Sequence, residues 1–433
     1  MTANRGTWGT RTGFILAAAG SAVGLGNIWG FPTQVGQGGG ATFVLVYLLC
    51  VVFICMPIMI GEFSIGRRSQ QSPVGSFARI SPGTRWWLVG GLGVLTGAGI
   101  LSFYSVIAGW TVAYVWFTLT DQVGNNQDTI GVFFTDFTAN ASANIALTVL
   151  VLGITAVVLL GGVKSGIERV TKVLMPALIA LLILLAAQAL TLPGAAAGIS
   201  YYLRPDLSRL LDPDIYSAAL GQAFFSLSLG MGAMITYGSY LGKREGIAGA
   251  AILVVLLDTL IALLAGFIIF PAGFSIAEFD PTSSGPGLIF TVLPRLFSTL
   301  PGGQFFGTAF FILLTMAALT SMISLLEVPV SHFVDAYHWT RTRSVVLVTG
   351  AVLLLSVPSA LSAGSVEVLT TLPTLGIDFL TLMSTAWNDF ALPIGGLLTA
   401  IFVGWVWRVD GALTELQLHD AWFPSPKLWG FLI

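Results

Sequence analysis

Three acidic side chains, Glu62, Asp258 and Glu327, stand inside apolar runs long enough to cross a bilayer. A carboxylate in hydrocarbon is costly, so such a residue points to an ion or proton path, or to a firmly held structural partner. Two glycine-rich segments inside other apolar runs are as unusual. One reads Gly20-Ser21-Ala22-Val23-Gly24-Leu25-Gly26-Asn27 and the other Ser226-Leu227-Ser228-Leu229-Gly230-Met231-Gly232. Each glycine weakens a helix by about 1 kcal/mol. A backbone group freed in hydrocarbon costs several kcal/mol unless a partner or a cavity satisfies it. Enzyme chemistry is poorly served. His332, His338 and His419 form no HExxH pattern, no paired-aspartate motif is present, and the histidines fall at the ends of apolar runs.

The elements that must position these residues follow from composition. Of 433 residues, 55% are hydrophobic and 9% charged, against roughly 25% charged in an ordinary soluble domain. Runs of about 20 apolar residues, enough for a ~30 Å hydrocarbon layer, recur throughout. Ten spans are expected, at about 13–35, 41–66, 86–119, 144–161, 166–191, 214–240, 247–273, 303–334, 344–363 and 374–407. The last is read as one helix kinked at Pro393. Basic residues mark alternate connections: Arg5 and Arg11; Arg67, Arg68, Arg79 and Arg85; Lys164, Arg169 and Lys172; Lys243 and Arg244; Arg341 and Arg343. That pattern predicts a cytoplasmic amino terminus in a multi-pass protein of the cell (inner or plasma) membrane. The net charge of −2 says nothing about nucleic acid; the arrangement of the charges is what informs, and no nucleic-acid partner is expected. Cys50 and Cys55 share one apolar run on different helix sides and are expected to be buried rather than bridged. The first apolar run lacks a small-residue cleavage site, so no cleavable leader is expected.

Depth makes the two glycine segments informative. Gly24 lies 13 residues beyond Arg11, and Ser228 lies 14 after Asp214 and 15 before Lys243. At 1.5 Å per residue both fall ~20 Å inside, near mid-membrane. They also open two successive sets of five spans. Close packing on glycine would explain one such segment; two in corresponding places predict an all-α polytopic membrane protein, an inverted five-plus-five helix repeat with helices 1 and 6 broken. The expected division is 1–191 for the first repeat, 192–213 for an extracellular connection, 214–408 for the second repeat and 409–433 for a cytoplasmic tail. The tail's end, from Pro426 to Ile433, reads as the start of a further helix.

Three stretches resemble the neurotransmitter:sodium symporter family, especially its bacterial amino-acid transporters. They are Ala22-Val23-Gly24-Leu25-Gly26-Asn27-Ile28-Trp29, Gly221-Gln222-Ala223-Phe224-Phe225-Ser226-Leu227-Ser228-Leu229-Gly230 and Ala318-Leu319-Thr320-Ser321. The likeness extends over nearly the whole chain from Trp8. The rule that broken helices meet at a midplane site is itself drawn partly from this fold, so it is not independent support.

The resemblance implies a site for an amino acid. Its carboxylate would meet the N–H groups of Leu25 and Gly26, at the positive end of a half-helix, and the hydroxyl of Tyr104. Its ammonium would meet carbonyls of Ala22, Phe225 and Ser228. Ile100, Phe225, Ser228, Met231, Ser321 and Leu325 would line the side-chain pocket, with Ser226 alongside. Two sodium sites are implied, since a hard cation takes about five or six oxygens. One resembles carbonyls of Gly20, Val23 and Ala317 with the hydroxyls of Thr320 and Ser321, three ligands at i, i+3 and i+4 on one face. The other resembles Ala22, Asn27, Ser226 and Asp258, completed by the substrate carboxylate, which would couple ion and substrate. Asp258 stands where the family usually has asparagine, and its fixed charge could replace a bound anion or carry a proton. Glu62 and Glu327 are expected to organise the cytoplasmic half. Arg5 and Asp335 resemble the inner-gate ion pair, with Trp8 as the adjoining plug. The family's outer pair departs: Gly30 and Thr381 stand where arginine and aspartate are usual.

The implied function is sodium-coupled import of an apolar or aromatic L-amino acid by alternating access across the lipid bilayer. The residues leave open another small amine or osmolyte, proton coupling, or a transport-deficient sensor of the same fold. The oligomeric state is not encoded in any pattern seen here.

Overall fold

The computed structural model describes residues 6–123, 129–243, 245–276, 279–282, 288–299, 302–417 and 426–433. Among the described residues there are helices and no strand, as hydrocarbon requires of a chain whose backbone groups must be satisfied within each segment. Eight unbroken apolar helices are long enough to cross a membrane: Ala41–Ser69, Trp87–Leu119, Ala141–Leu160, Val163–Ala189, Ala248–Gly273, Gly303–Tyr337, Arg341–Leu361 and Phe379–Val406. These are the second to fifth and seventh to tenth spans. The first span is two half-helices, Arg11–Ala22 and Gly26–Gln37, bent by 49°. The sixth is Pro213–Ser226 and Ala233–Gly238, with 227–232 unwound between them.

Local chemistry accounts for both breaks. In the sixth span Ser228, Gly230 and Gly232 have φ of 53°, 79° and 75°, the left-handed region that glycine enters without strain. A Cβ on Gly230 would also lie 2.2 Å from the Leu392 carbonyl oxygen. In the first span the requirement is close approach: a Cβ on Gly24 would sit 2.4 Å from Ser321 Oγ and 2.7 Å from the Tyr104 hydroxyl.

Prolines explain a second irregularity. Widened π-helical turns at Gly26–Gly30, Val51–Cys55 and Thr385–Ala391 each precede a proline, Pro32, Pro57 and Pro393, at the second residue of the next helical stretch. A proline offers no N–H and its ring crowds the carbonyl one turn back; the wider turn gives that ring room. The tenth span therefore differs from expectation. It begins at Phe379, not 374, because Asp378 caps it by accepting from the Thr381 N–H. Its distortion is a π turn before Pro393 rather than a sharp kink at that residue.

The third span packs along the eighth and also touches the fourth and ninth. The first span lies among the fifth, seventh and eighth, and the second holds both halves of the sixth. The interrupted helices are thus enclosed by continuous ones. Beyond the tenth span, short helices Val409–Gln417 and Pro426–Leu432 return to the second span. The tail helix is seven residues long; Trp429 is buried there and its indole N–H donates to the Pro57 carbonyl at 3.1 Å. Cys50 and Cys55 are free and buried.

Candidate functional site

The two breaks face one another. Ser228 Oγ donates to the Ser21 carbonyl at 2.8 Å, and the Leu25 N–H donates to the Tyr104 hydroxyl at 2.9 Å. Between them is a cavity of about 20 Å³, room for about one water molecule. The first span contributes Ser21, Ala22, Gly24 and Gly26 to its wall, and the sixth contributes Phe225, Ser228 and Met231. Ile100 and Tyr104 come from the third span, Ser321 and Leu325 from the eighth. Every side chain expected to line the pocket is on this wall, and Leu25 reaches the site through its N–H. Ser226 differs from its expected place beside the substrate: its hydroxyl donates to Asp258 Oδ2 at 2.8 Å, away from the cavity.

Tyr104 and Phe225 also border a second, larger cavity of about 750 Å³ on the other side. These two rings are therefore the partition between pocket and vestibule. The vestibule carries Gly30 and Gln222 on one wall and Asn388 and Asp389 of the tenth-span π turn on another; among the described residues no Lys, Arg or His lines it. Gly30 faces Gln222, whose Oε1 would be 3.1 Å from a Cβ there. Thr381 is spent on capping, with its hydroxyl donating to Asp378 at 2.7 Å. The outer ion pair of the family has no counterpart at these two positions.

Oxygens gather at both expected ion positions. Thr320 Oγ1 lies 2.9 Å from the Ala317 carbonyl and 3.4 Å from that of Val23, and Ser321 Oγ lies 3.3 Å from the same Val23 oxygen. Gly20 adjoins them, with its added Cβ 3.3 Å from that of Thr320. In the other group Asn27 Nδ2 donates to Asp258 Oδ1 at 2.8 Å and to Ser226 Oγ at 2.9 Å. The Asn27 side-chain oxygen accepts from the Gly24 N–H at 3.0 Å, which ties this group to the first break. Asp258 is fully buried, and its two oxygens are held by side chains of the first and sixth spans.

Towards the opposite end, the Trp8 indole donates to the Tyr237 carbonyl at 3.0 Å and meets the Tyr237 ring edge-on at 5.2 Å. Asp335 accepts from the Ser72 N–H at 2.6 Å; its expected partner Arg5 lies outside the described residues, as do Arg244 and His419. Glu327 is held by Arg341 at 2.6 and 3.0 Å and by the Tyr240 hydroxyl at 2.6 Å. Glu62, like Glu327, makes the kind of hydrogen bond expected of it, here at the unwound turn that leads into Ala233–Gly238. It accepts from the Gly230 N–H at 2.8 Å and so satisfies a backbone donor that unwinding of the sixth span has freed.

Sequence reasoning missed three residues. Tyr47 sends its hydroxyl to Ser226 Oγ at 3.3 Å, adding the second span as a fourth to the Asp258 group. Gln222 donates to the Gly26 carbonyl at 2.8 Å; its i, i+4 relation to Ser226 was the available signal. Glu168 accepts from the Gly9 N–H at 2.6 Å, the Thr10 hydroxyl at 2.9 Å and Lys172 at 2.6 Å, latching the first span's start to the fifth. Only its i, i+4 spacing to Lys172 was visible beforehand.

A polytopic helical bundle with two interrupted helices, oxygen clusters and a partitioned cavity defines a secondary transporter, not an enzyme. The sequence model of the Sodium:neurotransmitter symporter family matches residues 5–136 and 126–429. The chain belongs to that family and is a sodium-dependent, multi-pass membrane transporter. It is 38% identical over 397 residues to the uncharacterised sodium-dependent transporter YhdH of Bacillus subtilis, covering 92% of this chain and 87% of the other. An uncharacterised sodium-dependent transporter of Haemophilus influenzae is 35% identical over 432 residues, covering 96% and 93%. Among solved structures, MhsT in complex with L-phenylalanine superposes with a TM-score of 0.92 at 45% identity, covering 99% of this chain and 96% of that one.

Proposed function

We propose that this transporter imports an apolar or aromatic L-amino acid together with sodium bound at two sites, from a side opposite its cytoplasmic amino terminus. The observation that carries the reading is the division of the central pocket into two chemistries. Backbone groups of both breaks and the hydroxyls of Tyr104, Ser228 and Ser321 occupy one part, while Ile100, Phe225, Met231 and Leu325 form an apolar remainder. The first part suits the carboxylate and ammonium common to all α-amino acids, and the second suits an uncharged side chain. A charged side chain would be buried there without a partner and is rejected. The similarity to MhsT, whose structure holds L-phenylalanine, supports the same substrate class.

Sodium is assigned to the Gly20, Val23, Ala317, Thr320 and Ser321 oxygens and to the group of Ala22, Asn27, Ser226 and Asp258. The substrate carboxylate would complete the second group, so that each ligand strengthens the other. Uptake of labelled L-phenylalanine into proteoliposomes, with an inward sodium gradient and with choline replacing sodium, tests the reading. Sodium-driven accumulation, competed by leucine and tryptophan but not by lysine or glutamate, is expected. Equal uptake in choline, or competition by taurine and simple amines but not by aromatic amino acids, would overturn it.

A further inference from the structure

Away from the transport path, a cavity of about 420 Å³ is cut between the third, eighth and ninth spans, near the ends that the basic connections mark as cytoplasmic. Its wall is largely apolar, and its rim faces outward: Leu95 is 62% exposed and Leu355 is 50% exposed. Two features are polar. His332 lines the cavity and its Nδ1 is buried without a hydrogen-bond partner. Trp339 also lines it, and the Arg343 guanidinium lies 4.4 Å from the centre of the Trp339 ring.

Arg343 has no carboxylate partner among the described residues, whereas Arg341 is committed to Glu327. Arg343, Leu347, Ala351 and Leu355 follow at intervals of four, so they form one ridge of the ninth span. The ridge has a cation at its membrane-surface end and apolar side chains for ~18 Å inward, about the depth of one leaflet. Charge at the headgroup level and an apolar trough beneath it match the shape and sign of an acidic lipid.

We propose that this cavity seats an acyl chain of an anionic phospholipid whose headgroup phosphate pairs with Arg343. A glycerol ester carbonyl at the head of that chain accepts a hydrogen bond from His332 Nδ1–H. The wall includes Val74, two residues beyond Ser72, whose N–H is held by Asp335. The seated chain therefore packs against the connection that holds the inner-gate carboxylate.

The test uses the full-length protein in nanodiscs containing phosphatidylglycerol or phosphatidylcholine with dibrominated chains. The Trp339 share of fluorescence is obtained by difference from the Trp339→Phe variant. Brominated phosphatidylglycerol is expected to quench Trp339 at a several-fold lower mole fraction than brominated phosphatidylcholine. Arg343→Gln, a change at an exposed position, should abolish that preference, and the cavity-filling Ala351→Phe should remove quenching by both lipids. Equal quenching by the two lipids in the native protein would mean an unselective lipid annulus and overturn the proposal. No quenching by either, with a dimer mass in native mass spectrometry, would place a second copy on this face and also overturn it.

Discussion

At the proposed sodium sites, Thr320 and Asp258 are the side chains whose loss tests ion coupling most directly. Thr320 Oγ1 lies within reach of the Ala317 and Val23 carbonyls, so Thr320→Ala removes one ligand while leaving the backbone oxygens in place. The sodium concentration for half-maximal substrate binding should rise about tenfold, equivalent to ~1.4 kcal/mol, measured with purified protein. Unchanged sodium dependence would remove sodium from this face. We propose that Asp258, held by Asn27 and Ser226, supplies a fixed negative charge. Uptake should therefore be equal in chloride and gluconate media, and Asp258→Asn should impair it. A strong chloride requirement in the native protein would end that assignment.

At the scale of the element, the unwound stretch of the sixth span is predicted to set pocket volume. Gly230 and Gly232 both have positive φ, and Met231 between them lines the cavity. Methionine is unbranched, so it can move aside for a large ring or refill the space behind a small side chain. Broad acceptance of bulky apolar L-amino acids follows, tryptophan included. Met231→Phe should narrow the range to aliphatic substrates, costing an aromatic ligand about 1–3 kcal/mol through overpacking. Competition by tryptophan and leucine against one labelled substrate checks this; equal competition in both proteins would show that Met231 does not control volume. The glycine pattern of this stretch was legible in the sequence because it is local. That the Glu62 carboxylate accepts from the Gly230 N–H was not legible, because only folding brings the second span to residue 230.

For the molecule as a whole, the helix Val409–Gln417 is tied to the bundle by a buried charge. Arg67 is fully buried and its Nε donates to Glu415 Oε1 at 2.8 Å, while its terminal nitrogens donate to the backbone carbonyls of Glu245 and Glu415. One side chain therefore joins the second span, the connection after the sixth and the helix after the tenth. Arg67→Met leaves Glu415 with the exposed Arg68 at 3.9 Å as its remaining ion-pair partner and should lower stability by up to about 3–5 kcal/mol, seen as a drop in thermal midpoint in detergent. The double variant Arg67→Met/Glu415→Met should recover much of that loss. A single variant as stable as the native protein would show that this contact does not hold the tail.

What the sequence determined alone was whatever depends on neighbours along the chain. Hydrocarbon forces each apolar run to satisfy its own backbone, so span positions follow from composition. Glycines at residues 24, 26, 230 and 232 mark where that satisfaction fails. The pocket side chains were legible through ordered motifs and i, i+4 spacing, as for Ile100 with Tyr104 and Ser321 with Leu325. Tertiary structure alone decided which polar groups meet across spans. Tyr47 reaches Ser226 over 179 residues, Glu168 reaches Gly9 over 159, and Gln222 reaches Gly26 over 196. Nothing local distinguishes such a side chain from one bonded back to its own helix. Its partner exists only once the spans have packed, and in a medium without water that packing determines where each remaining donor and acceptor must go.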